Sequence, residues 1–287
     1  MNKEIVDKIT AINEAQFKNL NGRRIISVSK IKGYIKEVFD AEKQAKHCAE
    51  KGATDPNYKY ANMTAEQILE AWSQKAAESC RYGSLLDEYA EQKFEKDEKS
   101  LMIWKLDNNY NYDDRLKGNC LGLDEFISEF KQYGFEYVCR EMPMYYQTTP
   151  EQGEMPFDEK EVDNVVVGRL DCLFYNPTTK KYLLVDWKTT DSITTEGFRG
   201  KKMKGPAYQW DDCDMGEYTV QLHVYKAALA HTYHIADESD IAVCVVNFIH
   251  GGTEDGKHYK IYKENFKFDC PTLERVINFS VMKRSLE

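Results

Sequence analysis

Val165-Val166-Val167-Gly168-Arg169-Leu170-Asp171 and Tyr182-Leu183-Leu184-Val185-Asp186-Trp187-Lys188-Thr189-Thr190 decide the fold of this chain. Both are short, apolar and rich in β-branched or aromatic residues, and Asn176-Pro177-Thr178-Thr179 between them is turn chemistry. Each run carries an Asp within apolar surroundings. An isolated carboxylate costs several kcal/mol to bury unless it is paired or bound to a cation. Asp186 and Lys188 are two residues apart, so on a strand they share a face. If the two strands form a hairpin, Asp171 reaches that face as well. Two carboxylates and one ammonium then converge, and hard oxygen donors without His or Cys companions suit Mg²⁺ or Mn²⁺. The plainer alternative is a pair of strand-end aspartates with Asp186 and Lys188 as a surface ion pair.

Working outward, Glu136 to Gln147 is expected to be a strand, with a polar, acidic connection over 148–161. The quoted strands extend over Val162 to Tyr175 and Lys181 to Lys188. A long basic loop with Gly197, Gly200, Gly205 and Pro206 follows. A helix is expected over Tyr218 to His234 and a buried central strand over Ile241 to Ile249. Gly251-Gly252 leads into a strand over Tyr259 to Phe268, and Pro271 opens a last helix to about Val281. Upstream, Thr64-Ala65-Glu66-Gln67 is a capping box opening a helical stretch to Lys96, which Gly83 interrupts. Residues 106–120, rich in Asn, Asp and Tyr, read as a loop before a short helix over Leu123 to Gln132. Residues 1–60 mix short helices and loops. The order implies an α/β core with a helical N-terminal portion, divided as 1–75 and 76–287.

The 287 residues are 30% charged and 42% hydrophobic, and no apolar run approaches the ~18 residues that a membrane helix needs. The chain opens without an apolar leader, and the eight cysteines come no closer than 19 residues apart. A zinc ribbon is therefore excluded, and reduced thiols in a cytoplasmic protein are expected. Taken alone, the net charge of −9 argues against a nucleic-acid binder, because phosphate contacts need Lys and Arg. It hides a local pattern: 180–204 carries seven bases against three acids, and 147–163 carries six acids and one Lys.

Gln221 and Tyr225 are i and i+4 on one helical face, as are Asp87 and Glu91 after Gly83. Taken singly, each pair reads as a polar helix edge. Taken in order, Gly83-x-x-x-Asp87-x-x-x-Glu91, Gly168-Arg169-Leu170-Asp171, Leu183-Leu184-Val185-Asp186-Trp187-Lys188-Thr189 and Gln221-x-x-x-Tyr225 resemble the PD-(D/E)xK nuclease superfamily, in its RecB-like and lambda-exonuclease-like branch. The resemblance covers roughly the last two thirds of the chain and implies an αβββαβ core with a mixed central sheet flanked by helices.

It also implies that Asp171, Asp186 and the Trp187 main-chain carbonyl hold Mg²⁺ or Mn²⁺, with Lys188 as the catalytic lysine. Gln221 and Tyr225 would support the site and the DNA. Many relatives carry His at the position of Asp87, so Asp87 is a candidate ligand, with Glu91 or Glu88 as substitutes. Gly83 would then let the helix backbone approach the sheet. Glu141 is a weaker acidic candidate. An iron–sulfur cluster, present in some relatives, is not expected from these scattered cysteines.

Arg199, Lys201, Lys202 and Lys204 read either as a solvated loop or as a phosphate-contacting flap. Tyr208 and Trp210 read as base-stacking or packing residues. His223 falls on another helical face from Gln221 and is expected to pack or to face solvent. The implied function is a Mg²⁺- or Mn²⁺-dependent deoxyribonuclease, an exonuclease acting on single-stranded or duplex DNA ends in recombination, replication or repair. It would be phage-like, in the host cytoplasm, with a possible recombination or replication partner. A structure-selective endonuclease, or an inactive DNA-binding or assembly subunit of the same fold, are the rival readings.

Overall fold

A computed structural model describes residues 3–18, 24–148, 164–264 and 270–284. The chain divides into two compact units, one of residues 1–37 with 121–287 and the other of residues 38–120. Residue 75, the expected division, lies inside a helix of the second unit.

The first unit is α/β, built on a mixed six-stranded sheet. Its organising strand is β3 (Asn164–Asn176). Along one edge of β3 runs β2 (Glu136–Gln147), antiparallel, from Glu136↔Tyr175 to Gln147↔Val165. Two strands share the other edge. The short β1 (Arg24–Ser27) pairs parallel with Asn164 to Val167, and β4 (Lys181–Lys188) pairs antiparallel with Cys172 to Asn176. Beyond Val185, β4 leaves β3 and stays paired with the parallel strand β5 (Ile241–Phe248), which carries the antiparallel β6 (Tyr259–Lys263) at its far side. The sheet is thus split, and Gly168-Arg169-Leu170-Asp171 lines the fork between β1 and β4.

Helices cover both faces. On one lie α1 (Lys3–Lys18), α2 (Val28–Ile35), α7 (Asp214–Ala227) and α8 (Cys270–Arg284). Ile9, Ile31, Ile35, Val220, Leu222 and Val276 join strand residues there in the main apolar core. On the other face α6 (Asp114–Gln132) presents Phe126, whose ring meets Phe174, Phe248 and Tyr259 edge-on. The near-continuous apolar character of β4 and β5 follows from burial on both faces.

The second unit holds α3 (Ala41–Thr54), α4 (Ala65–Glu95) and α5 (Glu98–Asp107), and α6 runs across the division. Thr64 and Gln67 form the expected capping box. Gly83 does not break α4, which is one 31-residue helix. A single glycine costs about 1 kcal/mol in a helix interior, less than the buried stripe of Ile68, Tyr82, Leu85, Leu86 and Tyr89 contributes.

Residues 106–120 are not a loop but the end of α5, a 3₁₀ turn at Tyr110–Tyr112 and the first turns of α6. Their polar residues serve the helix ends: Asn109 takes the left-handed conformation at φ 52°, and Asp113 Oδ1 accepts from the Leu116 N–H at 2.9 Å. β1 escaped sequence reading because four residues carry no legible alternation. α7 starts four residues earlier than expected, capped by Cys213, and gives way after Ala227 to a π turn over Ala228–Thr232. The acidic connection expected over 148–161 and the end of the last strand at 265–268 lie outside the described residues, apart from Thr148.

Candidate active site

The hairpin register brings the two aspartates together. Cys172↔Val185 is the last β3–β4 pair, so Asp171 and Asp186 stand opposite each other one step into the fork. Directly opposed residues share a face, and Lys188 lies two residues further along the same face. The fork leaves backbone groups that a continued ladder would have paired, and side chains take them. Asp171 Oδ2 accepts from the Trp187 N–H at 3.0 Å, and Tyr225 Oη accepts from the Arg169 N–H at 3.2 Å. Tyr225 fits there because residue 168 is glycine: a Cβ on Gly168 would lie 2.6 Å from the Tyr225 ring and 2.7 Å from its hydroxyl. On the other side, buried Asn247 of β5 holds the chain leaving β4. It donates to the Thr190 carbonyl at 3.0 Å and accepts from the Thr190 N–H at 3.2 Å.

Three oxygens converge on one ammonium. Lys188 Nζ lies 2.5 Å from Asp186 Oδ2, 3.7 Å from Asp171 Oδ2 and 3.2 Å from the Trp187 carbonyl. Asp186 is 1% exposed, and its Oδ2 faces that ammonium without the alignment of a hydrogen bond. A buried carboxylate oxygen held only by a cation, next to a second carboxylate and a carbonyl, is a hard-oxygen set suited to a divalent cation. Among the described residues no three His, Cys, Asp or Glu side chains gather closely enough to hold a metal ion, so the carboxylates at this point are a pair.

α7 supplies the other wall through Tyr218, Gln221 and Tyr225, at i, i+3 and i+7 on one face. Gln221 Nε2 donates to Asp186 Oδ1 at 2.7 Å, and Gln221 Oε1 accepts from Lys32 Nζ of α2 at 2.7 Å. The Tyr218 ring has Lys188 Nζ at 4.9 Å and Lys32 Nζ at 5.7 Å from its centre. Two cations therefore face two carboxylates.

Burial disfavours the charge on Lys188, but Asp186 and Asp171 outweigh it and raise its pKa above the ordinary lysine value. For Lys32 desolvation prevails over the pull of Asp186, and its pKa falls. Desolvation pushes the Tyr218 hydroxyl up to about 12 and raises that of Tyr225 as well, so both are neutral donors and acceptors near pH 7.

The structure therefore brings Asp171, Asp186, Lys188, the Trp187 carbonyl, Gln221 and Tyr225 into one cluster. Asp87, Glu88 and Glu91 belong to α4 in the second unit, where Glu88 accepts from Trp104 Nε1 at 2.9 Å and Glu91 pairs with Lys96 at 3.2 Å. Within its own unit, an added Cβ at Gly83 meets nothing within 4 Å among the described residues. Glu141 of β2 has the left-handed φ of 49° inside a strand and receives Arg169 Nη1 at 2.9 Å. His223 is buried on the far side of α7 and meets Glu264 at 2.6 Å.

In the loop after β4, Lys202 pairs with Asp211 and Lys204 with Glu37, whereas Arg199 and Lys201 form no ion pair among the described residues. Arg199 sits at φ 55° beside exposed Phe198; Tyr208 is exposed and Trp210 is buried in the core. Sequence reasoning missed Lys32, Tyr218 and Asn247. Lys32 and Lys36 recur at i and i+4 behind the Ser27 cap, and only that spacing hinted at a functional face. No protein-family model and no curated protein matches the chain.

Proposed function

We propose that the chain is a Mg²⁺- or Mn²⁺-dependent deoxyribonuclease built on a PD-(D/E)xK-type core, acting as an exonuclease on DNA ends. The observation that carries this reading is the convergence of Asp171 Oδ2, Asp186 Oδ2 and the Trp187 carbonyl on a single cation position at the fork of the sheet. Those three oxygens would hold the metal, which when bound polarises the scissile phosphate and lowers the pKa of water.

Lys188, displaced from the carboxylates it now pairs, orients the attacking water and steadies the negative charge that develops on the phosphate oxygens. Gln221 holds Asp186 in its rotamer, and Tyr225 keeps the fork open by satisfying the Arg169 N–H. Arg199 and Lys201, the two loop cations without an ion-pair partner among the described residues, contact the strand backbone. A recombination or replication protein is the partner class that this activity would serve.

The test is cleavage of end-labelled single- and double-stranded DNA with Mg²⁺, with Mn²⁺ and with chelator, beside a covalently closed circle. We expect metal-dependent loss of label from linear DNA and an intact circle. Full activity in excess chelator sinks the mechanism, and cutting of the circle replaces the exonuclease with an endonuclease.

A further inference from the structure

The Gln221 amide has two ends of opposite character and lies between two charged groups. Lys32 arrives from α2, a helix far from α7 in sequence, and Gln221 Oε1 is its hydrogen-bond acceptor among the described residues. An ammonium can only donate, so Lys32 accepts one orientation of that amide: oxygen toward itself. The NH₂ end must then face Asp186, where it occupies Oδ1 at 2.7 Å. Oδ2 is thereby left as the oxygen that meets a cation, Lys188 in this structure. A flipped amide would set oxygen against carboxylate and NH₂ against ammonium, two repulsive contacts. α2 is itself held in place. Its N-cap Ser27 is the last residue of β1, Lys36 beyond its end pairs with Glu217 of α7 at 3.2 Å, and the Ile35 carbonyl accepts from the Lys204 N–H at 2.6 Å.

We propose that Lys32 is a positioning residue of this site, which fixes the Gln221 amide and through it selects the Asp186 oxygen that faces the metal. The metal-binding consequence rests on the function proposed above; the ordering of the amide does not. Outer partners that orient a ligand commonly account for 10- to 100-fold in metal affinity.

Two measurements test it. In metal-free ¹⁵N spectra, the Gln221 side-chain signal, identified by its loss in Gln221→Ala, should be shifted and slow to exchange in wild type and in Lys32→Arg. In Lys32→Met it should move toward free-amide positions and exchange rapidly. In Mn²⁺ titrations Lys32→Met should bind roughly 10- to 100-fold more weakly. Lys32→Arg, which keeps a donor-only cation, should bind Mn²⁺ more tightly than Lys32→Met. The double variant Lys32→Met/Gln221→Ala should bind no more weakly than Gln221→Ala alone, because Lys32 acts through Gln221.

A Gln221 signal unmoved by Lys32→Met overturns the proposal, as do additive losses in the double variant. Wild-type protein that binds no Mn²⁺ while the amide responds to Lys32 as described overturns the metal reading and leaves the positioning role standing.

Discussion

Replacing Lys188 with Met isolates what its ammonium does before any metal arrives. The side chain keeps its length but loses the charge that now meets Asp186 Oδ2 at 2.5 Å and Asp171 Oδ2 at 3.7 Å. Removing one partner of a buried pair costs about 3–5 kcal/mol. Lys188 is 25% exposed, which lowers the figure to roughly 2–3 kcal/mol. For a folding unit of roughly 200 residues each kcal/mol moves Tm by about 2–4 °C. We therefore predict that Lys188→Met in chelator melts about 4–12 °C below wild type. A divalent cation on the same oxygens should reverse this, since saturation at 100 times Kd adds about 2.7 kcal/mol. Mn²⁺ should raise the Tm of the variant at least as much as that of wild type, because no ammonium competes for the carboxylates. Cleavage should still be lost. The assay is thermal unfolding by circular dichroism of both proteins, with chelator and with a Mn²⁺ series. A variant as stable as wild type in chelator would refute the charge argument, and Mn²⁺ that stabilises neither protein would refute the shared cation position.

Gly168→Ala should lower stability by about 2–4 kcal/mol, from overpacking against Tyr225 and a weakened bond to the Arg169 N–H. Gly83→Ala should instead gain about 0.5–1 kcal/mol. Equal Tm changes in the two variants would contradict the close approach that Gly168 makes and Gly83 does not. Neutralising Arg199 and Lys201 together should reduce the slope of log affinity for DNA against log salt by about 0.7–0.9 for each lost phosphate contact. The ion-paired Lys202 and Lys204 should contribute less, and the reverse order would refute the assignment.

Much of the site is local in origin, which is why sequence alone determined it. The turn at Asn176 joins two β-rich runs, and Asn176 Oδ1 accepts from the Thr178 and Thr179 N–H groups at 3.0 Å. That turn sets the hairpin register, the register sets Asp171 opposite Asp186, and the two-residue strand period adds Lys188 to the same face. The i, i+4 rule likewise put Gln221 and Tyr225 together.

The tertiary structure alone decided the fork in the sheet, because β1 is too short to announce itself and its partner β3 lies more than a hundred residues away. It alone decided Lys32, whose bond to Gln221 spans 189 residues of chain. Periodicity reports which face of an element is buried, and says nothing of which distant element will cover it. The second cation of the site and the orientation of the Gln221 amide therefore had no local signal to read. They exist only because α2 packs beside α7 over the fork.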